Sequence, residues 1–89
     1  MKSIYIIIDG RVQGVGYRYF ALLKATELNL SGWVKNTPDG KVEIEATGAP
    51  NNLSIFIDWM KTGPTRSIIK TFSVSDITPI RTFTQFEIH

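Results

Sequence analysis

An α+β fold, with two helices on one face of an antiparallel sheet, is the class that this 89-residue sequence predicts. Three observations carry it. Residues 41–47 alternate, with Val42, Ile44 and Ala46 on one side and Lys41, Glu43, Glu45 and Thr47 on the other. That is the period of a strand with one covered face and one face open to water. Two stretches, one over residues 17–29 and one led by Leu53, space their apolar residues as helices do. The order along the chain is strand, helix, strand, strand, helix, strand, with a short final strand. Each helix needs an apolar surface and strand three offers only one, so both helices pack on the same side of one sheet. This is a split βαβ, ferredoxin-like sandwich. Many unrelated functions use it, so the fold alone decides none.

Ile4-Tyr5-Ile6-Ile7-Ile8 is a β-branched and aromatic run that reads as a buried strand. The helix over 17–29 carries Tyr17, Ala21, Ala25 and Leu28 on one stripe, with Phe20 beside them and Arg18 off it. It should end near Asn29, before Ser31-Gly32. Residues 33–36 form a short strand, and Thr37-Pro38-Asp39-Gly40 turns the chain back: Pro fixes φ, Asp bonds its own backbone, Gly accepts positive φ. The second helix follows Gly48-Ala49-Pro50-Asn51-Asn52, places Leu53, Phe56, Ile57 and Met60 on one face, and stops at Gly63-Pro64. Residues 68–74 are strand-like, but Ile69 differs in parity from Phe72 and Val74, which implies a bulge. Residues 76–81 read as a loop containing Pro79, and 84–88 as a last strand with Phe86 and Ile88 on one face.

The most informative stretch is Gly10-Arg11-Val12-Gln13-Gly14-Val15-Gly16, running into Tyr17-Arg18. A strand that turns through glycines into a helix gathers free backbone N–H groups at the positive end of the helix dipole, where a phosphate or carboxylate can sit. Arg18 in the first helical turn is electrostatically disfavoured unless an anion lies between it and the loop. Two nucleotide fingerprints do not fit. A dinucleotide loop needs a small residue where Tyr19 stands, and a Walker A loop ends in Gly-Lys-Ser/Thr, not Gly16-Tyr17-Arg18.

Composition narrows the classes. The length fits a single domain over residues 1–89 and no second one. A net charge of +2 points to neither a nucleic-acid nor a membrane partner. The absence of cysteine excludes disulfides, thiolate catalysis and cysteine-bound metals. No signal-peptide pattern opens the chain and no apolar run reaches the length of a membrane span, so a soluble, cytoplasmic protein is expected. Nothing demands more than a monomer.

Two long stretches resemble the acylphosphatase family, small enzymes that hydrolyse acyl phosphates to a carboxylate and inorganic phosphate. Gly10-Arg11-Val12-Gln13-Gly14-Val15-Gly16-Tyr17-Arg18 is similar to the family's G-x-V-Q-G-V-x-F/M-R signature. Gly32-Trp33-Val34-Lys35-Asn36-Thr37-Pro38-Asp39-Gly40-Lys41-Val42-Glu43, continuing to Gly48, is similar to G-W/F-V-x-N-x-x-D-G-x-V-E. Gly63-Pro64 and Phe86-Glu87-Ile88 also resemble it, and the one departure is Tyr17, where Phe or Met is usual; its hydroxyl then needs a partner or water.

The resemblance implies that Arg18 binds the substrate phosphate and Asn36 orients the attacking water. The amides of Gln13, Gly14, Val15, Gly16 and Tyr17 would cradle the phosphate oxygens. Inorganic phosphate would be both product and inhibitor, and no metal or other cofactor is implied. The residue types suit these roles: Arg presents a permanently charged fork matched to phosphate oxygens, and an Asn amide both donates and accepts. An acyl phosphate has a good leaving group, so positioning and charge neutralisation suffice. From the residues alone Asn36 has a second reading, as turn chemistry beside Thr-Pro-Asp-Gly. Arg11, Gln13 and Lys35 read as loop or rim side chains, Glu43, Glu45 and Glu87 as a solvated sheet face, Trp33 and Trp59 as packing, and His89 as a frayed end.

Two other functions compete. RNA-recognition domains share the topology, but they stack bases on aromatics of an exposed sheet face, and here that face carries Glu43 and Glu45. A non-catalytic acylphosphatase-like domain, as in the carbamoyltransferases of hydrogenase maturation, is the other; retention of both Arg18 and Asn36 favours an active enzyme.

Overall fold

The computed structural model describes residues 1–89. The elements are β1 (Lys2–Arg11), α1 (Tyr17–Glu27), β2 (Ser31–Asn36), β3 (Val42–Gly48), α2 (Pro50–Thr62), β4 (Ile68–Ile77) and β5 (Phe86–Ile88). They form one sheet in the order β4-β1-β3-β2-β5. The first four strands are antiparallel to their neighbours, whereas β5 runs parallel to β2, so the sheet is mixed and not wholly antiparallel as the pattern predicts. A three-residue strand reached through a loop leaves too little periodicity to fix its direction.

The expected core is present. Ile4, Ile6 and Ile8 of β1, Val34 of β2 and Val42, Ile44 and Ala46 of β3 meet Tyr17, Ala21 and Ala25 of α1 and Leu53, Phe56 and Met60 of α2. Phe86 closes the far side with its ring edge-on to Phe56 at 6.1 Å between centroids. Tyr17 is fully buried, and its hydroxyl donates to the Met60 carbonyl at 2.6 Å, the partner that a tyrosine at this position needs. Burial raises the Tyr17 phenol well above the ordinary range.

Several boundaries move for local reasons. Helix α1 stops at Glu27, not Asn29, because Asn29 adopts φ 55°, the left-handed conformation asparagine tolerates, and the Leu30 amide turns back to the Ala25 carbonyl. The implied bulge in β4 is real. Asp9 pairs with Thr71 and Gly10 with Ile69, leaving Lys70 as the extra residue, so Ile69 and Phe72 both pack against the core despite their parity. Strand β4 also continues through Asp76 and Ile77, residues that the sequence reading leaves to a loop.

The outer face of β3 is not open to water as the alternation predicts. Glu45 and Thr47 are buried because residues 78–85 fold across them. Thr47 Oγ1 donates to the Arg81 carbonyl, Ser3 Oγ lies 2.6 Å from Thr47 Oγ1, and the Arg81 amide donates to Ser3 Oγ. Glu45 accepts from the Trp33 indole at 2.9 Å and pairs with the Arg81 guanidinium at 3.2 Å. His89 is not frayed either: its amide donates to the Val34 carbonyl, and its ring stacks on Trp33 at 5.7 Å and 9°. Trp59, in contrast, is largely at the surface, edge-on to Phe20 and under the Lys24 ammonium.

Candidate active site

Strand parity and a glycine loop build a cleft at one end of the sheet. Asn36 stands two residues beyond buried Val34, so it shares the helix-side face of β2, and in register it lies beside Val42 and, one strand further, Ile8. Strand β1 ends at Arg11, and the chain reaches α1 through Val12-Gln13-Gly14-Val15-Gly16. Gly14 and Gly16 take φ 73° and 82°, conformations costly for any other residue type, and a Cβ on either would meet only open space. Gly16 is the N-cap of α1, with no side chain capping the helix and no acidic residue in its first turn. The resulting cleft, about 240 Å³, is lined by Val12, Gly14, Gly16, Tyr17, Arg18, Tyr19, Asn36 and Ile88.

What distinguishes this cleft is polar capacity without partners. The amides of residues 13–16 donate to no protein acceptor, and the first amides of a helix have none within it. Arg18 pairs with no Asp or Glu side chain; its guanidinium makes a long contact, 3.4 Å, to the main-chain oxygen of His89, the last residue of the sequence. The Asn36 Oδ1 is buried with no hydrogen-bond partner, the sole side-chain atom in that state. Buried acceptors are rarely left bare, because an unpaired one costs roughly 1–3 kcal/mol. Gly14, Gly16, Arg18 and Asn36, the residue that carries the bare acceptor, all line one cavity.

The other residues of the loop have separate positions. The Gln13 side chain points away from the cleft and donates to the carbonyls of Thr37 and Lys41 at 2.8 and 2.9 Å, fastening the loop to the β2–β3 turn. Val15 packs on the core. Of Gln13 and Val15, only the backbone is therefore free to meet a ligand. The turn after Asn36 is held by Thr37, whose Oγ1 accepts from the Lys41 amide and donates to Asp39. Asn36 makes none of these bonds, so its side chain takes no part in the hydrogen bonding of the turn. Arg11 and Lys35 lie at the surface, as the sequence implies. Three cleft residues escape sequence reading, the first being Val12, which is buried in the core and lines the floor of the loop. Tyr19 is exposed beside Arg18, where a surface tyrosine gives no signal, and Ile88 arrives only through the pairing of β5 with β2, opposite Val34.

Fold and cleft together define a ferredoxin-like domain with a glycine loop at a helix N-terminus beside a cleft. The acylphosphatase family model matches residues 4–88, and the chain belongs to that family. It is 39% identical over 88 residues to an acylphosphatase of Methylococcus capsulatus, covering 99% of this chain and 96% of that one. The crystal structure of acylphosphatase from Bacillus subtilis superposes with a TM-score of 0.96 at 43% identity, covering 100% of this chain and 99% of that chain. A 12% portion of full-length HypF, solved in a phosphate- and nucleotide-bound form, matches with a TM-score of 0.83 at 30% identity.

Proposed function

We propose that this protein hydrolyses the carboxyl–phosphate bond of small acyl phosphates at the cleft between the glycine loop and Asn36. The observation that carries the reading is that Asn36, whose buried Oδ1 has no partner, lines the same cavity as Arg18, Gly14 and Gly16. The amides of residues 13–17 and the Arg18 fork hold the phosphoryl oxygens and neutralise their charge. Asn36 Oδ1 accepts a hydrogen bond from a water, leaving that water's lone pair aimed at phosphorus. The water oxygen bonds to phosphorus as the bond from phosphorus to the acyl oxygen breaks. The carboxylate departs with the electron pair, and the proton of the water passes to the phosphate product or to solvent. Such a reaction asks the protein for position and fixed charge, and both are built in before substrate arrives.

In this reading the 89 residues act as one domain, in the cytoplasm, and a single copy contains the whole site. Inorganic phosphate, the product, competes with substrate for the same donors. No metal is required. The side chains offer no group of three or more His, Cys, Asp or Glu residues, and activity should persist after dialysis against a chelator. Loss of activity restored by Mg²⁺ would refute this part of the scheme. The direct test is hydrolysis of benzoyl phosphate followed by ultraviolet absorbance. Turnover that Arg18→Ala removes supports the reading; absence of turnover in the parent overturns it.

A further inference from the structure

We infer that the Tyr17 hydroxyl is a positioning group for the cleft: it holds the first turn of α1 to the last turn of α2, and so fixes where Arg18 and the loop amides stand. The inference rests on the reading of the cleft as a phosphate site and adds a residue whose hydroxyl meets no ligand. Tyr17 lines the cleft, but its hydroxyl is turned to the Met60 carbonyl, 2.6 Å away. The sequence makes that bond matter at both of its ends. Met60 lies in the last turn of α2, and the residue four further on, whose amide would take up its carbonyl, is Pro64, which has none. The Gly63 amide goes to the Trp59 carbonyl instead. The Tyr17 hydroxyl supplies the donor that Pro64 lacks. On the α1 side, Tyr17 is the only large residue among those fully buried, since the others are Ala21 and Ala25, too small to key the helix in place. Gly16 caps α1 without a side-chain bond.

The support behind the hydroxyl also reaches the other stem of the loop. Between α2 and β4 the chain closes on itself, with the Ser67 amide and hydroxyl both donating to the Pro64 carbonyl, at 2.9 and 2.7 Å. Gly63 stands so near that a Cβ on it would lie 3.1 Å from the Tyr17 ring. At the start of β4, Ile68 pairs with Arg11, and a Cβ on Gly10 would overlap the Ile68 carbonyl oxygen. One segment, residues 60–68, therefore touches Gly10-Arg11 where the loop begins and Tyr17 where it ends. The distance between those stems sets the span of the loop. Arg18 follows Tyr17 in the same helical turn and moves with it. A binding constellation works only when its members are held within about 0.5 Å of the productive geometry. Asn36, on β2, lies outside this clamp.

Tyr17→Phe removes the hydroxyl and keeps the ring, and two readouts well below the melting temperature test the inference. The first is the Kd of inorganic phosphate, with KM and kcat for benzoyl phosphate beside it. The variant should bind phosphate about threefold or more weakly, KM should rise in parallel, and kcat should change less, because Asn36 is untouched. The second is amide hydrogen exchange. The Phe20 amide donates to the Gly16 carbonyl and closes the first turn of α1, so its exchange should speed up more than that of Leu22 in the middle of the helix. Ser3→Ala, which loosens the far end of the sheet, is the control for lost stability and should move neither readout. Parent values for phosphate affinity, or for the exchange of Phe20 relative to Leu22, overturn the inference whatever the melting temperature of Tyr17→Phe. So does an equal loss of phosphate affinity in Ser3→Ala, which would make the effect one of stability alone. A parent protein that neither binds phosphate nor hydrolyses benzoyl phosphate overturns the reading of the cleft itself, and this inference with it.

Discussion

The two ends of the sheet treat their polar groups in opposite ways. Beneath residues 78–85, Ser3, Thr47, Glu45, Trp33 and Arg81 form a closed set in which donors meet acceptors. At the glycine loop, backbone amides, the Arg18 guanidinium and the Asn36 carbonyl oxygen are gathered and left without protein partners. The first region can be understood as folding alone, because its hydrogen bonds repay the desolvation of its members. The second leaves one buried acceptor, Asn36 Oδ1, with no partner in the chain to offset its cost. Groups left unsatisfied in one place mark what the protein holds ready for a ligand, and local rules tend to be broken where function requires it.

Exchanging residues between these two behaviours gives effects of graded size. The largest is expected at Arg18. Arg18→Ala should lower kcat for benzoyl phosphate by roughly 100- to 1000-fold, the usual worth of one preorganised donor on a transition-state oxyanion. Its melting temperature should stay close to that of the parent, since Arg18 lies off the buried stripe. Activity within tenfold of the parent removes Arg18 from the mechanism.

Asn36→Ala comes next and is the sharper test. It should cut kcat by about 100-fold with KM nearly unchanged, because the phosphate ligands remain and an interaction of the transition state is lost. Its stability should be unchanged or slightly higher, because the mutation deletes a bare buried acceptor. A turn residue would behave in reverse, losing about 0.5–2 kcal/mol of stability while turning over normally. Gln13→Ala lies between the two regions. It removes both bonds from the loop to the β2–β3 turn, and should cost about 1–3 kcal/mol and part of the activity, by loosening the loop against Asn36. Full activity in that variant would mean that the fastening does not position the site.

On the saturated side, Ser3→Ala should cost about 1 kcal/mol in denaturant unfolding and leave kcat untouched. A change in kcat would couple the two ends of the sheet and weaken the distinction drawn between them. The smallest effect concerns pH. The Tyr5 phenol is pushed up to about 12, first by burial and then by the Glu43 carboxylate that accepts its hydrogen bond, and burial pushes Tyr17 up as well. Both phenols stay protonated in the fold above the ordinary value of 10.0, where the unfolded chain gives up its protons. Their contribution is therefore complete below pH 10 and is lost as pH rises from there through about 12. Tyr17→Phe should flatten that decline in a urea-midpoint series; an unchanged slope would assign it elsewhere.

The lining of the candidate site is legible in the sequence wherever it is local. Gly14, Gly16 and Arg18 lie within one loop and one helical turn, and the parity of β2 carries Asn36 to the same face as Val34. What escaped depends on contacts distant along the chain. The burial of Glu45 requires Arg81, the ordered position of His89 requires Trp33, and the place of Ile88 in the cleft requires β5 to join β2 in parallel. No periodicity within a short segment encodes those meetings. The Gln13 side chain shows the same limit inside the signature itself. Its place in the loop made it a phosphate-contact candidate, whereas its amide reaches Thr37 and Lys41 across the turn.

The amide NMR spectrum, titrated with inorganic phosphate, tests most directly whether the unsatisfied groups form an anion site. Saturable shifts are expected, concentrated in the backbone amides of residues 13–18 and in the side-chain amide of Asn36, with the Ser3–Thr47–Arg81 region unmoved. Shifts confined to distant residues, or none at phosphate concentrations that inhibit turnover, would contradict it.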